Sequence, residues 1–114
     1  MIQDQIYAEL LTLGITKRYC GCVQTCLAIE LAIEDEERLQ SVTEQIYEAV
    51  AKRCSAKAAN VERNIRTACQ RAWRVNRKHL SDLAGYPLYA PPAASDFISI
   101  IAAHLQRSRK TLSV

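Results

Sequence analysis

Glu62, Arg63, Arg66, Thr67 and Gln70 follow one another at alternating spacings of one and three residues, which keeps them on one side of a helix. Together they supply a carboxylate, two guanidinium groups, a hydroxyl and a carboxamide. Guanidiniums can donate to guanine edges or phosphates, and a carboxylate can accept from the amino group of cytosine. That is the chemistry of a helix laid in a DNA major groove. The same spacing also permits a plainer role, with Glu62 and Arg66 as an i,i+4 ion pair on a solvated helix, worth about a few tenths of a kcal/mol.

A helix that shows this face outward needs an apolar face behind it. Val61, Ile65, Ala68, Cys69, Ala72 and Trp73 recur at helical spacing and form that stripe, predicting a helix over 57–76. Val42, Ile46, Tyr47, Val50 and Ala51 make a second stripe on a helix over 39–53. The break between them, Ser55 to Ala59, has no glycine, and Ser55 is its one good N-cap candidate. Two helices joined by a few residues, the second with the basic outward face, have the layout of a helix-turn-helix. Helical hairpins without DNA function share that pattern.

Charge is segregated in the same sense. Residues 1–51 carry nine acids and three bases, a formal −6, whereas 52–78 carry nine bases and one acid, Glu62, a formal +8. The overall +3 would say little about nucleic acid, but its concentration on the second helix and the turn does. Lys52, Lys57, Arg71 and Arg74 are placed to neutralise phosphates, and Asn60 lies beside the reading face. The residues expected to meet double-stranded DNA are therefore Lys57, Asn60, Glu62, Arg63, Arg66, Thr67, Gln70 and Arg71. The acidic run Glu34-Asp35-Glu36-Glu37 reads as a solvated helix end and loop.

From Gly14 to Gln106 the chain resembles the C-terminal effector domain of stage-zero sporulation protein A, the sporulation regulator of spore-forming Firmicutes. The most specific piece is Val61-Glu62-Arg63, Ile65-Arg66 and Ala72-Trp73, followed by Gly85-Tyr86 and Ser95-Asp96-Phe97-Ile98. Gly14-Ile15, Gly21, Ala28-Ile29, Ser41-Val42-Thr43, Ile46-Tyr47 and Ala51-Lys52-Arg53 stand in the same register. The resemblance implies an all-helical fold and a sequence-specific transcription regulator. The chain departs from the family at Thr67, where the family tends to carry histidine, and at Asn60, where it tends to be basic. Lys57 stands where a threonine suited to capping the second helix is usual. Cys20, Cys22 and Cys26 replace lysine, tyrosine and arginine, and the loop from Tyr86 to Ala94 is shorter. The family's full-length regulators carry a phosphorylatable receiver domain, for which 114 residues leave no room.

With three glycines and three prolines, the sequence predicts long helices and shows no hairpin signature. Helices are expected near 2–13, 18–35, 39–53, 57–76, 78–84 and 95–107, in a single all-α domain over 1–114. Leu105 and Gln106 are expected to be the last well-packed residues, with 108–114 a frayed basic tail. No signal peptide or membrane-spanning run is evident, and five cysteines without secretory features suit free thiols in a reducing cytoplasm. Cys20, Cys22 and Cys26 lack paired Cys-x₂-Cys spacing, so neither metal nor cofactor is expected, and Cys54 and Cys69 read as small core residues. His79 and His104 read as surface or helix-end residues. Trp73 and Phe97 are the bulkiest candidates for the core. There is no nucleophile elbow, phosphate-cradling glycine loop or metalloprotease motif, which argues against an enzyme. Two functions remain: a DNA reader, with RNA polymerase and a second copy on DNA as further partners, or an interaction module that binds polymerase, itself or a full-length regulator without reading DNA.

Overall fold

The computed structural model describes residues 2–112, with side chains as far as Ser108. Helix α1 spans Ile2–Thr12, α2 Cys22–Glu34, α3 Glu48–Cys54, α4 Ala58–Ala84 and α5 Ala94–Leu112. No strand occurs among the described residues, and none of their helices is long and apolar enough to cross a membrane. The all-α expectation holds.

α2 is the central element and packs against α1, α4 and α5. Its apolar residues point several ways to serve all three: Cys22, Cys26, Ala28, Ile29, Leu31 and Ala32 are all buried. Thr25 is buried among them, and its hydroxyl donates to the Gly21 carbonyl at 2.8 Å, so no polar atom is stranded. Ile6 and Leu10 of α1, one helical turn apart, complete the packing with Phe97, Ile98 and Ile101 of α5.

Up to the start of α4, the structure departs from the sequence expectation at three places. α2 begins at Cys22 rather than near residue 18, because Gly21 takes a left-handed backbone (φ 89°) that a right-handed helix cannot include. The expected helix over 39–53 is instead a tight 3₁₀ stretch over Glu36–Ser41, a wide π turn over Thr43–Tyr47, and then α3. Across these turns Ile46, Tyr47, Val50 and Ala51 are all buried, as the apolar stripe expected of this stretch requires. Ser55 does not cap α4. It ends α3 in a left-handed conformation (φ 53°), where its N–H and that of Ala56 both donate to the Ala51 carbonyl. The N-cap of α4 is Lys57, whose side chain makes no capping bond.

α4 runs through the expected break as one kinked rod. Asn76 leaves helical geometry (φ −154°, ψ 64°); its Oδ1 accepts from the His79 N–H at 3.2 Å, capping the second segment. Its Nδ2 donates to the Thr12 carbonyl at 3.2 Å and so ties the kink to the end of α1. α5 extends past the expected end to Leu112, and residues 113–114 of the expected frayed tail lie outside the described residues. Gln106 donates to the Ile33 carbonyl at 3.0 Å, which holds α5 to the end of α2. Phe97 is fully buried as expected, but Trp73 is only partly so, with the Arg77 guanidinium 4.8 Å above its ring.

Candidate nucleic-acid interface

The first segment of α4 is divided lengthwise by burial. Val61, Ile65, Ala68, Cys69 and Ala72 are fully buried against the rest of the domain. Asn60, Arg63, Arg66, Thr67, Gln70 and Arg74 are exposed on the other side, with Glu62 half-buried at its margin. The helix therefore presents a polar, cationic face along its first turns. Lys57 is exposed at the entrance to that helix, and Lys52 and Arg53 at the end of α3 just before it.

The side chains on this face are already organised. Arg66 Nη1 lies 3.0 Å and 3.1 Å from the two carboxylate oxygens of Glu62, the i,i+4 pair that the spacing allows. Arg63 Nη2 donates to Asn60 Oδ1 at 3.0 Å, one turn back. Thr67 donates its hydroxyl to the Arg63 carbonyl at 2.9 Å, leaving its oxygen lone pairs outward. Gln70 is exposed and makes no hydrogen bond to another described side chain. Arg71 behaves differently from its neighbours. Its Nε donates to the Gly14 carbonyl at 2.6 Å and its guanidinium lies 5.2 Å from the Tyr19 ring centroid, so it binds α4 to the α1–α2 connection.

That connection lies against α4, a placement set by contacts far apart in the chain. It runs antiparallel along one flank of the helix. Gly14 abuts Val75, Arg71 holds Gly14, the Tyr19 hydroxyl reaches the Thr67 carbonyl at 3.4 Å, and Gly21 abuts Asn64. Asn64 in turn donates to Gln24 Oε1 of α2 at 2.9 Å. A Cβ on Gly14 would come within 2.8 Å of Val75 Cγ1, and one on Gly21 within 2.9 Å of Asn64 Cβ. The signal was present in two glycines seven residues apart; their partners on α4 were not legible.

The other residues singled out from the sequence lie elsewhere. Cys22, Cys26 and Cys69 are buried, Cys54 is half-buried and Cys20 is exposed, all as free thiols. The Cys69 thiol donates to the Pro92 carbonyl at 3.2 Å, pinning the α4–α5 loop. His79 and His104 both turn towards Glu9 of α1, at 2.9 Å and 3.8 Å, and thus bridge α1, α4 and α5.

The family model described as sporulation initiation factor Spo0A C terminal matches residues 6–105, nearly the whole chain, α4 included. Members of this family are DNA-binding effector domains of sporulation, not enzymes. With the all-helical fold, the short turn between α3 and α4 and the cationic outward face of α4 in place, the chain belongs to the Spo0A C-terminal domain family.

Proposed function

We propose that this domain is a sequence-specific transcription regulator that reads the DNA major groove with the first segment of α4. The observation that carries the reading is the division of that segment into a fully buried apolar side and an exposed side bearing Arg63, Arg66, Thr67 and Gln70. α3 and the Ser55–Lys57 turn stand behind it as the first half of a helix-turn-helix. Arg63 and Arg66 donate to guanine O6 and N7. Glu62 orients Arg66 and can accept from a cytosine amino group, and Asn60 steadies Arg63 in the same way. Thr67 and Gln70 make the weaker base or phosphate contacts. Lys57, Lys52 and Arg74 neutralise phosphates at the two ends of the helix, while Arg71 chiefly holds the helix in place. Pairing of two copies on adjacent half-sites belongs to the same reading, since one reading face of this length covers few base pairs.

Selection of bound duplexes from a random pool, followed by binding of the selected site against the pool, tests the reading. A bidentate arginine–guanine contact contributes on the order of 1–3 kcal/mol of discrimination, so Arg63→Ala should lower specific affinity roughly ten- to a hundredfold and relax preference at one base pair. If Arg63→Ala and Arg66→Ala both leave preference intact in a folded protein, α4 is not the reader. Selection that enriches no sequence would favour an interaction module instead.

A further inference from the structure

Next to the reading face of α4 lies a second cationic feature that nothing above uses. Between Gly14 and Gly21 the chain makes two tight turns, with the Tyr19 N–H donating to the Thr16 carbonyl at 2.9 Å and the Cys22 N–H to the Tyr19 carbonyl at 3.0 Å. Lys17, Arg18 and Cys20 are thrown outward by these turns and are exposed, whereas Tyr19 turns inward onto α4. The Lys17 ammonium lies 4.7 Å from the Tyr7 ring, and Arg18 has no hydrogen-bond or ion-pair partner among the described residues.

Exposed loop cations are ordinarily just solvated. Three observations set this pair apart. The ridge is fastened to α4 at both ends and in the middle, by Gly14 on Val75, Tyr19 on Thr67 and Gly21 on Asn64. It runs along the flank next to Thr67, a member of the reading face. Its charge has the sign of that face, although it lies in the otherwise acidic first half of the chain.

Geometry then limits what the ridge can meet. A helix with its side chains is about 10–12 Å across, and the major groove is about 12 Å wide, so a helix in the groove fills it. Whatever is fixed beside that helix must lie over a strand that borders the groove, where phosphates are the outermost groups. We propose that the Thr16–Cys20 ridge is a second DNA contact in which Lys17 and Arg18 grip backbone phosphates of the strand bordering the groove, with Arg71 and Tyr19 as the positioning residues beneath. This rests on the reading of α4 as the helix in the groove. The ridge sets register and orientation and carries no base preference of its own.

The test uses the full chain with the selected duplex and the random pool, in Arg18→Ala, Arg18→Lys, Lys17→Ala and Arg63→Ala variants whose helicity is checked by circular dichroism. Arg18→Ala should weaken both duplexes by the same factor and make the salt slope of log K shallower by about 0.9, the value for one phosphate contact. Ethylation of phosphates on the unaltered complex should interfere at a discrete set on the bordering strand, and Arg18→Ala should lose that set while keeping the rest. Arg18→Lys should restore both. If Arg63→Ala loses base preference but Arg18→Ala and Lys17→Ala leave the slope and interference pattern unchanged, the ridge is not a contact and α4 remains the reader. If Arg18→Ala alters base preference, its role on phosphate is wrong. If Arg63→Ala and Arg66→Ala leave preference intact, the reading of α4 fails and the ridge proposal falls with it.

Discussion

Arg66 places one guanidinium nitrogen 3.0 Å and 3.1 Å from the two oxygens of Glu62, so the free protein holds one of its two candidate reading arginines on a carboxylate of the same face. The pair is half-exposed, and such i,i+4 pairs add only about 0.3–0.5 kcal/mol to stability. Its significance lies in orientation. In the proposed reading, Glu62 would stay beside Arg66 on a guanine as a fixed acceptor and a fixed negative charge near the phosphates. Glu62→Gln should therefore leave the melting temperature nearly unchanged, tighten binding to random duplexes and lower preference for the selected one. Competition binding measures both, and a uniform gain on all sequences would mean that Glu62 only repels DNA.

Ser55 is the described non-glycine residue with positive φ, at 53°. A left-handed residue with a Cβ is disfavoured by roughly 1–2 kcal/mol, and glycine escapes that cost but has more chain entropy to lose on folding. Ser55→Gly should stabilise the domain by about 0.5–1 kcal/mol, read as a higher urea midpoint. It should leave base preference alone, because the turn keeps its shape. Lower stability would mean that the serine hydroxyl holds the turn in a way the hydrogen bonds do not show.

The parts legible in the sequence were those set by periodicity. The stripe Val61, Ile65, Ala68, Cys69, Ala72 is buried as expected. The division expected between residues 76 and 78 is the kink at Asn76, a poor helix former that caps better than it continues. What could not be read was anything set by tertiary contact. Ser55 looked like an N-cap because serine is good at one, but the turn after α3 needed a left-handed residue first. Ile46 and Tyr47 are buried as their stripe predicts, but the stretch that carries them is divided into 3₁₀, π and α turns, which the spacing of apolar residues alone does not distinguish. For the candidate site, the exposure of Arg63 and Arg66 followed from the stripe opposite them. The diversion of Arg71 to the Gly14 carbonyl did not, because its partner lies 57 residues away.

The glycines should separate backbone strain from crowding. Gly14, Gly21 and Gly85 all have φ between 82° and 89°. A Cβ at Gly85 would meet nothing within 4 Å, so Gly85→Ala should show the strain alone, about 1–2 kcal/mol. At Gly21 the same Cβ comes within 2.9 Å of Asn64 Cβ and 3.3 Å of the Asn64 carbonyl oxygen, atoms fixed to the helix backbone that cannot swing away. Gly21→Ala should cost more than Gly85→Ala, and it should also weaken DNA binding by shifting the ridge relative to α4. Equal losses of stability at the two positions would show that the loop and α4 are not pressed together.

The thiols and phenols of the core set how the domain fails in alkali. Burial pushes the Cys69 thiol up to about 12 and the Cys26 thiol up to about 11, since a thiolate there would lose its water. Burial, reinforced by the negative charges of Glu62 and Asp96, likewise pushes the Tyr47 phenol up to about 12. In the unfolded chain these groups ionise near 9 for the thiols and near 10 for the phenol. A group whose pKa is raised by folding contributes stability that is complete below the unfolded value and is lost as pH rises through the folded one. The urea midpoint should therefore hold steady to about pH 8 and fall progressively from about pH 9 upward. Cys69→Ala removes one such group. It should be less stable than the parent near neutrality, having lost a packed side chain and its bond to Pro92, but its midpoint should fall less between pH 8 and pH 10. The same burial predicts the order of alkylation in the native protein, with exposed Cys20 reacting first and Cys22, Cys26 and Cys69 protected until the domain unfolds. Parallel pH profiles for the parent and Cys69→Ala, or rapid labelling of Cys69 below pH 8, would contradict the buried, neutral thiol that closes the α4–α5 loop.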